Sequence, residues 1–206
     1  MSVHYRTHAF VLAYTDYEEA DRAYTVYTKE FGKLQVWAVS VRKITSKLRG
    51  GLMPFCISDI EFVQGRSKKT ATEAVPVRWF SRIREDEARM RIASRMLRQA
   101  NSIVKGEEAD PVSWSLFFSC LAALDEEQVS LPQCLLAEQY FFWNFVSRQG
   151  YQPRISEFPR ESAQLLEWMC GQDLMWVLNH ADAAHVAQLR SQSDHYLYDI
   201  LEGVRI

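Results

Sequence analysis

A run of basic residues without any carboxylate is the part of this sequence that points most directly to a chemistry. No Asp or Glu lies between Glu30 and Asp59. The stretch holds five cations, which are Lys33, Arg42, Lys43, Lys47 and Arg49. Each phosphate of a nucleic acid is a fixed negative charge, and Lys or Arg beside it releases condensed counterions. The stretch therefore predicts a phosphate-binding surface.

A second basic cluster follows a later turn. Gly65 begins this turn, and Arg66, Lys68 and Lys69 come after it. In a small barrel, two such turn regions can lie on one side and follow a nucleic-acid backbone together. The predicted nucleic-acid-binding residues are the cations of both regions: Lys33, Arg42, Lys43, Lys47, Arg49, Arg66, Lys68 and Lys69.

Aromatic residues near the first cluster add a second mode of binding. Trp37, with Tyr24 or Tyr27, is a candidate for stacking on bases, which contributes roughly 1–3 kcal/mol per base. The alternative is that Trp37 faces the core of the domain. Because large aromatic residues are mostly buried, we expect Trp37 in the core.

Motifs for catalysis are absent from the sequence. His180 and His185 are five positions apart and form no H-E-x-x-H zinc site. There is no G-x-x-x-x-G-K-[ST] phosphate loop and no G-x-S-x-G nucleophile elbow. The carboxylate run Asp125-Glu126-Glu127 is typical of a solvated loop, because adjacent like charges prefer water. The sequence therefore predicts a protein that binds without catalysing.

The cysteines predict neither a metal nor a cofactor. Cys56, Cys120, Cys134 and Cys170 lie at least 14 positions apart, so no C-x-x-C knuckle exists. Apolar neighbours favour buried, reduced thiols, which are typical of a cytoplasmic protein. The longest apolar-rich run, residues 116–124, is too short to span a bilayer.

Charge is divided unevenly along the 206 residues. The hydrophobic fraction of 48% and the charged fraction of 24% are those of an ordinary globular protein. Residues 1–105 hold 19 Lys and Arg against 11 Asp and Glu, whereas residues 106–206 hold 5 against 15. This asymmetry favours a polyanion site in the first half. The alternative is that the two halves attract each other.

The elements that must position these residues change type near Arg78. Five β-like segments precede this point: residues 9–14, 24–28, 33–41, 55–63 and 70–77. With a basic, glycine-containing loop after the third segment, they predict an OB-like five-stranded β-barrel over residues 1–80.

Helical signals fill the rest of the chain, so residues 81–206 are predicted to form an all-α domain without a zinc site. Residues 79–105 lack Gly and Pro. Asp110 and Pro111 have the types preferred at a helix start, and Gly150 has the type preferred after a helix end. Further helices are predicted at 132–149, 160–169 and 182–202. The predicted fold class is α+β.

Several short motifs in a fixed order resemble the N-terminal domain of RecO, the bacterial recombination mediator. They are Tyr17, Glu19, Asp21 and Arg22, then Gly32-Lys33, then Leu48-Arg49-Gly50, and then Leu52-Met53-Pro54-Phe55. The resemblance covers about the first 80 residues. The family often has Lys followed by Gly where this chain has Val39 and Ser40, which removes one charge from the expected binding strand. The four-cysteine zinc pattern of many members is also missing.

The resemblance implies a set of functions and partners. A RecO-like mediator binds single- and double-stranded DNA, anneals complementary strands and takes part in recombinational repair of DNA damage. With a RecR-type partner, it helps to load recombinase onto DNA coated by single-stranded-DNA-binding protein (SSB). The alternative is a protein–protein adaptor whose barrel has lost DNA binding.

An aromatic run on one predicted helix has two interpretations. Five neighbouring aromatic residues, Tyr140 to Phe142, Trp143 and Phe145, cannot all face one way on a helix. Burial between helices is favoured, because a helix that is apolar all round is usually buried. The other interpretation is a groove that, by the resemblance, receives the acidic C-terminal tail of SSB. Its contacts would be Phe142, Trp143 and Arg148.

Overall fold

The structure is a computed structural model that describes residues 3–203, apart from the side chain of His185. It contains two compact units. The first comprises the described residues up to Ser81 together with Val104–Trp114, and the second comprises Arg82–Ile103 and the described residues from Ser115 onward. The segment between the second and third helices thus groups with the N-terminal strands.

Five strands close into a barrel in the first unit. They are β1 (His4–Tyr17), β2 (Asp21–Thr28), β3 (Gly32–Ala38), β4 (Cys56–Gln64) and β5 (Lys69–Trp79). Their order around the barrel is β1-β2-β3-β5-β4, and only the β3–β5 pair is parallel. This is an OB-like arrangement, so the predicted fold class is confirmed.

β1 pairs with two neighbouring strands, β4 and β2, because it bends. Its first part pairs with β4, from His4 opposite Val63 onward, and its second part pairs with β2. A register shift between Val11 and Ala13 marks the bend. Side chains that alternate inward fill the barrel. The interior includes Ala9, Val11, Tyr24, Val26, Leu34, Val36, Ala38, Ile60 and Phe62.

β3 ends earlier than the sequence predicts, at Ala38 instead of Val41. Ser40 has a φ of +54°, which interrupts an extended strand, and its amide donates to Asp21 Oδ1 at 2.7 Å. The loop that follows returns to the barrel through Val41 and Leu52, which are buried in the barrel core. A Cβ atom at Gly51 would lie 2.3 Å from the Ala74 carbonyl oxygen, so the loop approaches β5 too closely for any other residue.

The free part of the β3 edge is covered by the segment between the second and third helices. β3 pairs with β5 only at Val36 and Trp37. At the start of β3, the Lys33 amide donates to the Gly106 carbonyl oxygen at 3.1 Å. This contact satisfies a strand edge that would otherwise be open.

The second unit is built from helices. The helices along the described chain are α1 (Ser81–Glu85), α2 (Glu87–Ile103), α3 (Pro111–Asp125), α4 (Leu131–Arg148), α5 (Arg160–Gly171), α6 (Leu174–His180) and α7 (Val186–Glu202). α4 packs against α2, α5, α6 and α7, which explains its burial on all sides. In the described part of the chain, no helix combines the length and apolar character needed to cross a membrane.

Helix boundaries follow local capping. The single helix predicted over residues 79–105 is divided at Asp86, whose carboxylate accepts hydrogen bonds from the Ala88 and Arg89 amides. Asp110 accepts from the amides of Val112 and Ser113, as predicted for a helix that starts there. α6 was not predicted, because its seven residues carry too short a pattern.

Candidate nucleic-acid interface

The outer face of β3 carries a row of alternate residues, of which Gln35 is exposed and Lys33 and Trp37 are half-buried. Lys33, Gln35 and Trp37 point outward, since the intervening Leu34 and Val36 lie in the barrel core. The prediction that Trp37 is a core residue is therefore wrong. The reason is strand alternation: Leu34, Val36 and Ala38 face the barrel core, so the odd-numbered positions between them face outward.

Trp37 lies where three elements meet. Its ring packs against Tyr17 of β1 with centroids 4.6 Å apart and planes at 75°. Lys68, in the β4–β5 turn, places Nζ 4.7 Å from the Trp37 ring centroid. OB barrels bind oligonucleotides on this strand together with the β1–β2 and β4–β5 loops. The site thus combines a ring suited to base stacking with a cation suited to phosphate.

The cations nearest this row differ in availability. Burial and the neighbouring Lys105 ammonium lower the pKa of Lys33, so bringing a phosphate to this lysine would favour its charged form. Lys69 Nζ already pairs with Glu107 Oε1 at 2.5 Å, and its side chain is only 19% exposed. Lys69 is therefore held by a carboxylate that a phosphate would have to displace.

Arg42 belongs to a different cluster. Its Nη1 lies 3.8 Å from Asp16 Oδ2, and Arg22 Nε donates to Asp16 Oδ1 at 2.6 Å. The hydrogen bond from Arg22, with a smaller contribution from Arg42, lowers the pKa of Asp16. Tyr17, which packs against Trp37, follows Asp16 directly on β1, and adjacent residues of a strand point to opposite faces. The Asp16 cluster therefore lies on the opposite face of the strand from the Trp37 row.

Six of the predicted cations are exposed; Arg42 pairs with Asp16 and Lys68 lies over Trp37, which leaves four with neither contact. Lys43, Lys47 and Arg49 lie on the loop after β3, and Arg66 lies in the β4–β5 turn. Within residues 3–203, no carboxylate lies within 4.0 Å of their charged nitrogens. These side chains are available for phosphate, while the apolar residues of the loop anchor its backbone to the barrel.

The Val39-Ser40 departure from the family pattern has a structural explanation. Val39 is exposed, so a Lys at this position would add a solvent-facing charge two positions after Trp37. Ser40 occupies the left-handed region of φ, which Gly adopts without cost. Ser40 thus adopts a conformation that suits Gly, whereas Val39 lacks the charge that Lys would supply.

The predicted peptide-binding residues are only partly accessible, which corrects the sequence interpretation. Phe142 and Trp143 are fully buried, so neither offers surface to a peptide. The Trp143 ring packs against Phe158 and Tyr196, with centroid distances of 5.4 and 5.2 Å. Arg148 is exposed at the end of α4. The aromatic run is therefore the interior of the helical unit, in agreement with burial between helices.

Sequence reasoning missed a cationic groove in the helical unit. It has a volume of about 300 Å³ and is lined by Ala88, Arg91 and Ile92 of α2, Leu131 and Leu135 of α4, and Arg190 of α7. The four-residue spacing of Arg91 and Arg95 on α2 was a possible signal. Nothing in the sequence placed Arg190 beside these two arginines, because Arg190 lies on α7, far from α2 along the chain.

A buried carboxylate joins the helices around this groove. Glu138 of α4 is fully buried; its Oε1 lies 2.5 Å from Arg95 Nε and its Oε2 lies 3.3 Å from Arg190 Nε. Arg95 also pairs with Asp194 at 2.7 Å. Burial raises the pKa of Glu138, and the two guanidinium groups oppose that rise.

A metal centre has no candidate ligands in the described structure. Among residues 3–203, apart from the His185 side chain, no three His, Cys, Asp or Glu side chains are grouped so that they could hold an ion. The four cysteines are free thiols, three of them buried. That the protein binds no metal stays a prediction.

Comparisons with known proteins agree with this geometry. Residues 1–80 match the family described as Recombination protein O N terminal. The chain is 31% identical over 153 residues to the DNA repair protein RecO of Dehalococcoides mccartyi, covering 74% of this chain and 59% of that relative. It is 42% identical over 92 residues to RecO of Heliobacterium modesticaldum, covering 45% and 34%. The chain thus spans at most about three fifths of these relatives.

Proposed function

Because the chain belongs to the RecO family, we propose that it acts in DNA repair and recombination as a non-catalytic, DNA-binding mediator. The observation that carries this proposal is the outward-facing row on β3, where the half-buried Trp37 ring contacts Tyr17 and Lys68. An aromatic ring beside a cation suits a single strand, whose bases stack on the ring while its phosphates contact Lys or Arg.

The proposed mechanism of annealing is electrostatic. Two complementary strands repel each other through their phosphates. The outer row of β3 holds one strand, and the exposed cations Lys43, Lys47 and Arg49 neutralise phosphates of the second. Contacts to phosphate carry no sequence information, so the same surface serves any sequence. Loading of recombinase onto SSB-coated DNA with a RecR-type partner is the wider role that the family implies.

For the SSB tail, we propose the cationic groove between α2, α4 and α7. An acidic, apolar peptide matches a groove that combines Leu131 and Leu135 with Arg91 and Arg190. Arg91 is exposed, and its ion-pair partner among residues 3–203 is the exposed Glu87, at 2.5 Å, so a peptide carboxylate can replace that partner.

The first test is a Trp37→Ala substitution. Stacking contributes roughly 1–3 kcal/mol per base, so the affinity for single-stranded DNA is expected to fall roughly five- to 150-fold, whereas duplex affinity changes little. Fluorescence anisotropy with labelled single strands and duplexes measures both. Trp79→Ala is the matched control, because Trp79 is a partly exposed tryptophan at the end of β5. An equal loss for both DNA forms would rule out base stacking by Trp37.

The second test separates the two peptide sites. Arg91→Glu places like charges against an acidic tail peptide, so its affinity is expected to fall at least about tenfold. Arg148→Glu, the same reversal at the position that the sequence favoured, is expected to leave peptide affinity unchanged. Calorimetric titration with an SSB tail peptide measures both variants. The opposite pattern would place the peptide at the end of α4.

The adaptor alternative rests on Val39, which exposes an apolar side chain where the family often has Lys. An adaptor without DNA affinity would show no salt-dependent binding. Titration of labelled single-stranded and duplex DNA at two salt concentrations distinguishes the two functions, since phosphate contacts weaken steeply with salt.

A further inference from the structure

A second cleft lies on the helical unit, formed by α7 and the short segment before α5. Its volume is about 420 Å³, and its lining includes Glu157, Phe158, Gln192, His195, Tyr196 and Asp199. Four of these residues follow each other along α7 at spacings of three, one and three, which places them on one face of the helix. None of them belongs to the DNA surface or to the cationic groove proposed above.

Hydrogen-bond acceptors dominate the polar lining of this cleft. Glu157 and Asp199 contribute carboxylates. The Gln192 Oε1 atom is buried and receives no hydrogen bond from the described part of the chain. Buried acceptors are normally paired, so an unpaired one that borders a cleft indicates a ligand with donors. The Tyr196 hydroxyl is occupied, because it donates to the Tyr151 carbonyl oxygen at 3.3 Å.

The apolar part of the lining is aromatic and firmly supported. The rings of Phe158 and Tyr196 both pack on Trp143, which is fully buried in α4. Rings held in this way offer a preformed surface to a flat cation, which is attracted to an aromatic face. The buried tryptophan therefore supports a binding surface without touching the ligand.

We propose that this cleft binds an arginine side chain of a partner protein. A guanidinium is planar, stacks on aromatic rings and carries five N–H donors, which matches a lining of rings and acceptors. The described residues of the helical unit, 82–103 and 115–203, hold 15 acidic against 10 basic residues, so the charge of the unit also favours a basic partner.

The cations already near the cleft do not prevent this binding. Arg154 lies 3.3 Å from Glu157, and His195 lies 3.6 Å from Asp199. Both cationic side chains are more than half exposed, and exposed pairs of this kind contribute little. An incoming guanidinium can replace Arg154 and His195 at the two carboxylates, because it also contacts the Gln192 acceptor and the two rings.

The probe for a test is an acetylated and amidated peptide, Gly-Leu-Arg-Leu-Gly, titrated into the full chain and followed by NMR amide shifts and calorimetry. We expect saturable shifts confined to residues 157–158 and 191–199. The citrulline analogue keeps the shape of arginine but has no charge, and it is expected to bind at least about tenfold more weakly.

Variants of the chain complete the test. Asp199→Asn and Glu157→Gln together are expected to weaken the arginine peptide at least about tenfold, and Asp199→Asn alone several-fold. Glu167→Gln removes the same charge from an exposed position on α5 outside the cleft and is the matched control. Affinity for single-stranded DNA should remain unchanged in all of them, so the outcome is independent of the proposed DNA function.

The proposal is overturned if the citrulline peptide binds as tightly as the arginine peptide. Shifts outside the cleft, or undiminished binding to the double variant, would overturn it equally. Asp199→Asn changes only a partner of an exposed histidine, so a folded variant is available even if the double substitution destabilises the chain.

Discussion

Alanine at Lys43, Lys47 and Arg49 together is expected to weaken DNA binding about a hundredfold at roughly 50 mM salt. All three side chains are exposed, and no described carboxylate lies within ion-pair distance of them, so a phosphate is their available partner. The slope of log affinity against log salt should shrink by roughly 2, because each single-strand contact contributes about 0.7. Since these residues contact phosphates, the loss should be equal for unrelated sequences.

The measurement is a DNA titration at several salt concentrations, with the melting temperature as a check on folding. Alanine at Arg98, Arg148 and Arg160 removes the same charge from exposed positions on the helices and controls for net charge. If the loop variant keeps both its affinity and its salt slope, the loop is not the DNA site. The adaptor function then becomes the better explanation.

Glu138→Gln is expected to lower the free energy of unfolding by about 3 kcal/mol. The substitution removes the buried charge that faces Arg95 and Arg190, and an uncompensated buried charge typically costs about 3–5 kcal/mol. Arg95 keeps its contact with Asp194, which places the expected loss at the lower end of that range.

A matched pair in solvent supplies the control for this prediction. Glu87 and Arg91 lie 2.5 Å apart, the same separation as Glu138 and Arg95, but both are largely exposed. Glu87→Gln should therefore change the unfolding free energy by less than about 0.5 kcal/mol. Urea denaturation of both variants provides the comparison. Equal effects would show that burial adds nothing to the Glu138 cluster.

Much of the barrel could be predicted because its signals are local. Alternating apolar residues, Gly32 at the turn and the basic loop follow one another in the order that an OB-like barrel requires. The helix start at Asp110 was predictable for the same reason, since its carboxylate caps amides only two and three positions away. The end of β3 was not, because it depends on a hydrogen bond from Ser40 to Asp21 on another strand.

The candidate DNA site was only partly predictable. Composition identifies the cations but not which of them form ion pairs. Arg42 pairs with Asp16, and Lys69 pairs with Glu107, 38 positions away. Base rates of burial favoured a core position for Trp37, and strand alternation placed it on the outer face. The same statistics correctly favoured burial of the aromatic run on α4, and this removed Phe142 and Trp143 from the peptide site.

The sequence by itself determined the fold class, the carboxylate-free basic stretch and the uneven division of charge, because each depends on residue type and short-range spacing. Only the tertiary structure decided which side of β3 carries Trp37, which cations stay available, and that Arg91 and Arg190 line one groove. These properties depend on strand register and on pairs of residues far apart in the chain. A contact of that kind leaves no signal in local spacing, since it forms only when separate elements pack.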